Sequence, residues 1–480
     1  MRSTHLGHLC AVVMVGVLEA CSSSPSTPAM NGGTVGVVGG TGGVAAGTGG
    51  NSGQAGAAGG QDAGMVDLNP DAGRDSSTPD LSPPDQADGA PAPDLAADTA
   101  PDPSSWAGCG PEAMTTPAIK GPTAAATDSD QTFRSLVVSP GDPNVVFVGS
   151  EGNGIFRSVN GGTSWTWMRT GLRHDGHTAY AEVWDLAVAP SRPSRLYAAM
   201  TDSPGPQAGP YPSARGGLYR SDDDGETWRQ MGCGLPNAKT AAVWVDPADA
   251  DIVIAALEGG EPSFSKPWPQ AYYPGGLWKS RDGGRTFTAL TMPAGHERNS
   301  YWRITKRGGK FWTVGLDGRE MPDKGLGFLV SSDGSTFTAL AMPFAGKLVA
   351  GWDVAPDGMT ILASVRDTFQ MQRSTDAGGS FAPVTSIAMA NANGPIAVSP
   401  HDQRIVLFGS NQRLFRSEDG LATSTPVLEA PAFVEDIEFA PSNPYVVYAT
   451  VRGLRVFKSG DAGKTWTAAG QLRADVIDKN

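Results

Sequence analysis

Two recurring patterns of charge in this 480-residue sequence could do chemistry. In the first, Glu151, Asp202, Glu258 and Asp317 each follow a β-branched run, and Asp367 stands one place later in the next copy. In the second, a charge follows an aromatic or acidic residue: Trp184-Asp185, Trp302-Arg303, Trp352-Asp353 and Glu435-Asp436. Hydrolysis of a glycosidic bond needs two acids roughly 5–10 Å apart, one to protonate the leaving oxygen and one to attack or to activate water. Glu151 with one of Asp185, Glu258, Asp317 or Asp353 is the candidate catalytic pair. The competing reading is that each copy of a repeated unit inherits the same loop-capping acid, with Trp wedged between units. His174-x-x-His177 encloses Asp175, but the spacing identifies no third ligand. No metal site and no cofactor is therefore expected.

Aromatic residues gather in the same region. The segments 169–182, 201–217, 258–276, 293–302 and 315–325 are longer than their counterparts in later copies and carry Tyr180, Tyr211, Trp268, Tyr272, Tyr273 and Tyr301. Trp184, Trp302 and Arg303 lie close by in sequence. Rings beside carboxylates and amides suit sugar stacking or a peptide groove. The alternative is that these rings shield one another as a small core.

The elements that must position these residues are repeats. "SGDAGKTW" at Ser459 has relatives at Ser158, Ser221, Ser280, Ser331, Ser374 and Ser417, each starting 63, 59, 51, 43, 43 and 42 residues after the one before. Their third positions are Asn160, Asp223, Asp282, Asp333, Asp376, Asp419 and Asp461. Before each box come three β-branched or aromatic runs and after it a fourth, with turn residues between them and no helical periodicity. Each unit is therefore predicted to form four short strands, A to D. One such sheet cannot bury both faces alone, but seven around an axis can. The expected fold is all-β: a seven-bladed β-propeller of four-stranded antiparallel blades. The box is the turn from C to D, its Asp accepting backbone N–H groups and its Gly taking a positive φ. The longer segments are then B–C and D–A connections on the opposite face.

The box resembles the Asp-box, or neuraminidase-type, repeat. Asn160 departs from it, and the sixth copy lacks its aromatic residue. Sialidases with this repeat carry a Phe-Arg-Ile-Pro motif, whereas here Phe133-Arg134 precedes Ser135-Leu136. Xyloglucanase-type glycoside hydrolases also combine seven blades with this box. Their catalytic Asp motif is similar to "SEGNGIFR" from Ser150, with Glu151 at the Asp position. Those enzymes build the site between two propellers, and one is expected here. The chain is also similar to single seven-bladed propellers of the photosystem II assembly factor type, which bind without catalysing.

Outside the repeats, residues 1–20 read as a signal peptide with an apolar run too short to span a bilayer. "LEAC" resembles a lipobox, implying lipidation at Cys21 and, with Ser22 next, outer-membrane sorting. Residues 21–105 are Gly/Ser-rich and then Asp/Pro/Ala-rich, a composition that cannot bury a core and reads as a disordered tether. Ten of the chain's acids lie between Asp62 and Asp102, so most of the net charge of −13 belongs there. That acidity argues against nucleic acid as a partner. Cys109 and Cys233 remain after processing and read as a disulfide in an oxidising compartment. The propeller is assigned to 106–480. Together these features predict a monomeric, exported lipoprotein, held to membrane by its lipid alone. It would bind polysaccharide or an envelope or extracellular protein through blades one to four, with a glycoside hydrolase as the alternative.

Overall fold

The computed structural model describes residues 133–173, 180–201, 216–259, 275–297, 299–317, 324–344, 346–366, 368, 370–387, 394–453 and 455–472. The expected signal peptide and tether, Cys21 and Cys109 lie outside these residues. Twenty-eight strands form seven four-stranded antiparallel sheets, and no helix occurs among the described residues. The blades span 133–168, 182–231, 240–289, 300–339, 349–383, 396–429 and 434–471. Each is written out complete, in the order A-B-C-D, before the next begins. This is the predicted β-propeller.

The cores lie between blades. Strand B of every blade is wholly or almost wholly buried, as at Val146–Ser150, Leu196–Thr201 and Val447–Val451. Such strands read as continuous apolar runs because both faces meet a neighbouring sheet. Each box aromatic inserts backwards into the preceding blade. Trp228 packs with Phe147 and Ile155 of blade 1, Phe287 with Tyr197 and Leu218 of blade 2, and Phe337 with Ile254 and Leu277 of blade 3. The ring closes in the same way: Trp165 of blade 1 packs against Tyr448 and Ala469 of blade 7, and its indole donates to the Ala469 carbonyl at 3.1 Å.

The boxes are turns held by their own side chains. In the last copy the Ser459 hydroxyl donates to Asp461 Oδ1 at 2.7 Å and accepts from the Gly463 N–H at 2.9 Å. Asp461 also accepts the Thr465 N–H at 2.9 Å and its hydroxyl at 2.6 Å. Asn160 reproduces the acceptor half of this pattern and turns its amide N–H to Ser164. Hydrogen bonds from Ser380 and Ser374 hold the exposed Asp376 carboxyl down at about 2, and those from Thr423 and Ser417 do the same for Asp419.

The worn sixth copy explains itself here. Leu421 occupies the glycine position with φ 73°, and its side chain is 1% exposed among Leu362, Met371 and Val406. It fills the space left by the missing aromatic. Ala377 shares the left-handed backbone (φ 56°) without filling a comparable gap. A left-handed L-residue costs about 1–2 kcal/mol, part of which glycine's greater chain entropy offsets. Ala377→Gly is therefore expected to stabilise by about 0.5–1 kcal/mol, whereas Leu421→Gly loses about 2 kcal/mol or more as its packing goes. Thermal melts of the two variants should move in opposite directions.

Candidate functional site

Strand A of each blade lines the axis, and most of these strands carry a β-bulge near their start. In blade 2 the extra residue is Trp184, between Val183 and Asp185. In blade 7 it is Glu435, and in blade 5 it is Ala350. Blade 4 differs: Arg303 itself is the extra residue, with φ 43°, its carbonyl held by the Thr313 hydroxyl at 3.0 Å. A bulge re-aims the side chain it carries. Here it turns a guanidinium toward the channel.

The bulges separate residues that look alike in sequence. Asp185 and Asp436 directly follow their bulges, whereas Asp353 lies three positions past Ala350. Trp352-Asp353 is therefore set deeper than Trp184-Asp185, and the three dipeptides that carry Asp occupy two levels. The residue level with Asp353 in blade 7 is Glu438, since each stands one place before the end of its strand.

Each channel aspartate joins two blades. Asp185 accepts the Leu186 N–H and, across the interface, the Val243 N–H of blade 3, both at 2.9 Å. Asp436 accepts from Ile437 at 2.8 Å and from Leu136 of blade 1 at 3.1 Å. Asp353 accepts from Val354 at 2.9 Å and from Val398 of blade 6 at 2.8 Å. Arg303 reaches the Trp352 carbonyl at 2.8 Å and Asp353 at 3.4 Å, with its guanidinium over the Trp352 ring.

Above these bonds a cavity of about 350 Å³ opens on the face of the B–C and D–A connections, opposite the boxes. Its walls include Trp184, Asp185, Trp302, Arg303, Asp436 and Glu438. The rings of Trp184 and Trp302 come from blades 2 and 4 and meet with centroids 5.1 Å apart. Blade 3, between them, presents only the small Ala241 to the cavity, which leaves room for both indoles. Glu182 accepts the Trp184 indole N–H at 3.0 Å. Arg452 pairs with Glu435 at 2.9 Å on the far wall.

Burial dominates the protonation of the remaining acids. It lifts Asp185 to about 7, with Asp436 nearby adding to the rise. Asp436 stands at about 6 for the same first reason, and Glu438 at about 8, pushed further by Asp436. Arg303 opposes the rise at all three. Sequence reasoning missed Glu438. The signal was present as the Asp436-x-Glu438 spacing, which puts both side chains on one face of a strand.

The other candidates lie elsewhere. Glu151, Glu258 and Asp317 sit at the ends of their B strands and do not line this cavity. Glu258 pairs with Lys239 at 3.1 Å, and Asp317 is 6% exposed. Tyr180 packs edge-on against Trp167, and Tyr301 is fully buried with its hydroxyl on the His296 carbonyl, so both rings belong to the core. Cys233 is disulfide-bonded. Tyr211, Trp268, Tyr272, Tyr273, Asp202, Asp367, His174 and His177 fall outside the described residues. Among the described residues no three His, Cys, Asp or Glu side chains cluster as metal ligands.

The fold has known counterparts. No protein-family model matches the chain. A curated xyloglucanase of Hypocrea jecorina (strain QM6a) is 24% identical over 163 residues, which are 32% of this chain and 17% of that protein. The GH74 xyloglucanase from Xanthomonas campestris superposes with a TM-score of 0.54 at 15% identity, covering 72% of this chain and 55% of that one. An ancestral GH74 enzyme gives 0.52 and 15%, covering 71% and 46%. YCF48 from Cyanidioschyzon merolae gives 0.47 and 14%, covering 69% and 96%. The likeness is one of propeller fold. This chain spans about half the length of the two solved GH74 enzymes.

Proposed function

We propose that the propeller binds a glycan at the mouth of its central channel and does not cleave it. The observation that carries this reading is the wall formed by Trp184 and Trp302 above a ring of hydrogen-bonding groups. Paired indoles offer a flat apolar face to a sugar ring, and Arg303 and the carboxyls offer donors and acceptors to its hydroxyls. Asp185 and Asp353, the channel members of the expected catalytic set, already use both oxygens on backbone N–H groups of two blades. Their first task is to hold the ring together. The sequence supports export and lipidation at Cys21, with the tether of 21–105 setting the propeller away from an outer membrane. No described helix is long and apolar enough to cross one.

Binding of soluble oligosaccharides, followed by tryptophan fluorescence, tests this. Trp302→Ala is expected to weaken binding about tenfold or more while leaving the melting temperature close to that of the parent. Undiminished affinity in that variant would move the site elsewhere.

Hydrolysis is the second reading. Glu438 favours it, as a carboxyl accepting no hydrogen bond among the described residues and held protonated near neutral pH, the state of a general acid. Release of reducing ends from xyloglucan that disappears in Glu438→Gln would establish it and remove the binding-only reading.

A further inference from the structure

Resting on the glycan reading, charge accounting around the cavity specifies the sugar. Arg452 is engaged by Glu435, and Arg303 by Asp353 beneath the floor. Asp185, Asp436 and Glu438 have no salt-bridge partner among the described residues, yet all three line the cavity. Arg307, further along the strand of Arg303, is the remaining cation close enough to act on Glu438. Asp185 and Asp436 spend hydrogen bonds on the backbone, which leaves the Glu438 carboxyl as the unengaged acceptor. The site itself is the cavity with its indole wall; the acids decide what charge its occupant carries.

We propose that this cavity selects a glycan bearing free amines, a polymer of deacetylated hexosamine, over its neutral N-acetylated counterpart. The pyranose ring lies on the Trp184–Trp302 wall, and the ammonium group points to Glu438 between Asp185 and Asp436. An ammonium there gains from carboxyls that release their protons as it binds, and from the electron-rich ring faces. An anionic sugar meets the opposite sign. A neutral acetamide supplies no charge to draw these carboxyls out of their protonated form, and it brings extra bulk.

The matched test uses the full chain with three probes at about pH 7, where Asp436 is mostly and Asp185 about half ionised: a glucosamine tetramer, the N-acetylglucosamine tetramer and tetralysine. The glucosamine tetramer is expected to bind at least about tenfold tighter than its acetylated form, a preference of about 1.4 kcal/mol. In Glu438→Gln that preference should fall several-fold. Should this variant fail to fold, the same preference in the parent protein must shrink as salt rises, as a charge interaction requires. Equal or tighter binding of the acetylated tetramer overturns the amine inference and leaves the glycan reading standing. A preference untouched by salt overturns it too. Tetralysine binding tighter than the glucosamine tetramer overturns the sugar and assigns the cavity to a basic peptide. Binding of none of the three overturns the inference, and the glycan reading then rests on the oligosaccharide titration alone.

Discussion

Asp353→Ala should cost about 3–5 kcal/mol of stability, the largest loss expected from any single carboxyl in the channel. Asp353 is 3% exposed and makes three bonds at once: to Val354, to Val398 of the next blade, and to Arg303. Alanine leaves two buried N–H groups without acceptors, each costing about 1–3 kcal/mol. It also leaves Arg303 unpaired in the channel. Asp353→Asn keeps one acceptor oxygen in place and is expected to lose roughly half as much. Arg303→Met removes the other partner but leaves Asp353 satisfied by two backbone donors, so its cost should be smaller still. Chemical denaturation of the three variants measures this order. A melting curve for Asp353→Ala that overlays the parent would show that the blades do not depend on this carboxylate.

The second large effect is on pH. Asp185, Asp436 and Glu438 stand at about 7, 6 and 8 in the folded chain, against 3.8, 3.8 and 4.5 ordinarily. Over the window from about pH 4 to pH 8 the folded state therefore holds more protons than the unfolded state, and stability must fall as pH rises. The turn carboxylates act in the other direction. Asp376 and Asp419, at about 2, bind fewer protons folded than unfolded below about pH 4, so acid removes their contribution. The two sets together place maximal stability near about pH 4–5, with decline on both sides. Melting temperatures across that range should trace the curve, and Glu438→Gln should flatten its alkaline limb. A melting temperature that climbs steadily from pH 5 to pH 8 contradicts the burial of these groups.

The sequence made the blades legible because the box is a local device. Ser459, Asp461, Gly463 and Thr465 bond to one another within a few residues, so their spacing alone implies the turn. It also implies strands around the turn, and seven copies imply the ring. The channel was only half legible. Trp184-Asp185 and Trp352-Asp353 are the same dipeptide, yet a bulge at Trp184 in one strand and at Ala350 in the other sets them at different depths. A bulge depends on how two strands register, and composition does not encode that. Glu438 escaped notice for the same reason: its partners across the channel are set by blade packing. Tyr180 and Tyr301 illustrate the converse, since an aromatic residue in a long connection reads alike whether it faces solvent or the core.

One consequence follows from the blades being completed in chain order. Six of the seven interfaces join neighbours that share a backbone connection; the seventh, between blades 7 and 1, has none among the described residues. In many-stranded rings a borrowed strand could bolt that gap. Among the described residues it is held here by the apolar cluster of Leu136, Val148, Tyr448 and Ala469 and by the hydrogen bonds of Asp436 with Leu136, Tyr448 with the Pro143 carbonyl, Lys458 with Asn144 and Trp165 with Ala469. As far as the described residues go, the ring is mechanically split. During synthesis each blade can settle on the one before it, and the clasp is the last contact to be made. Under heat or tension it is where the circle should part first, long before any single blade unravels.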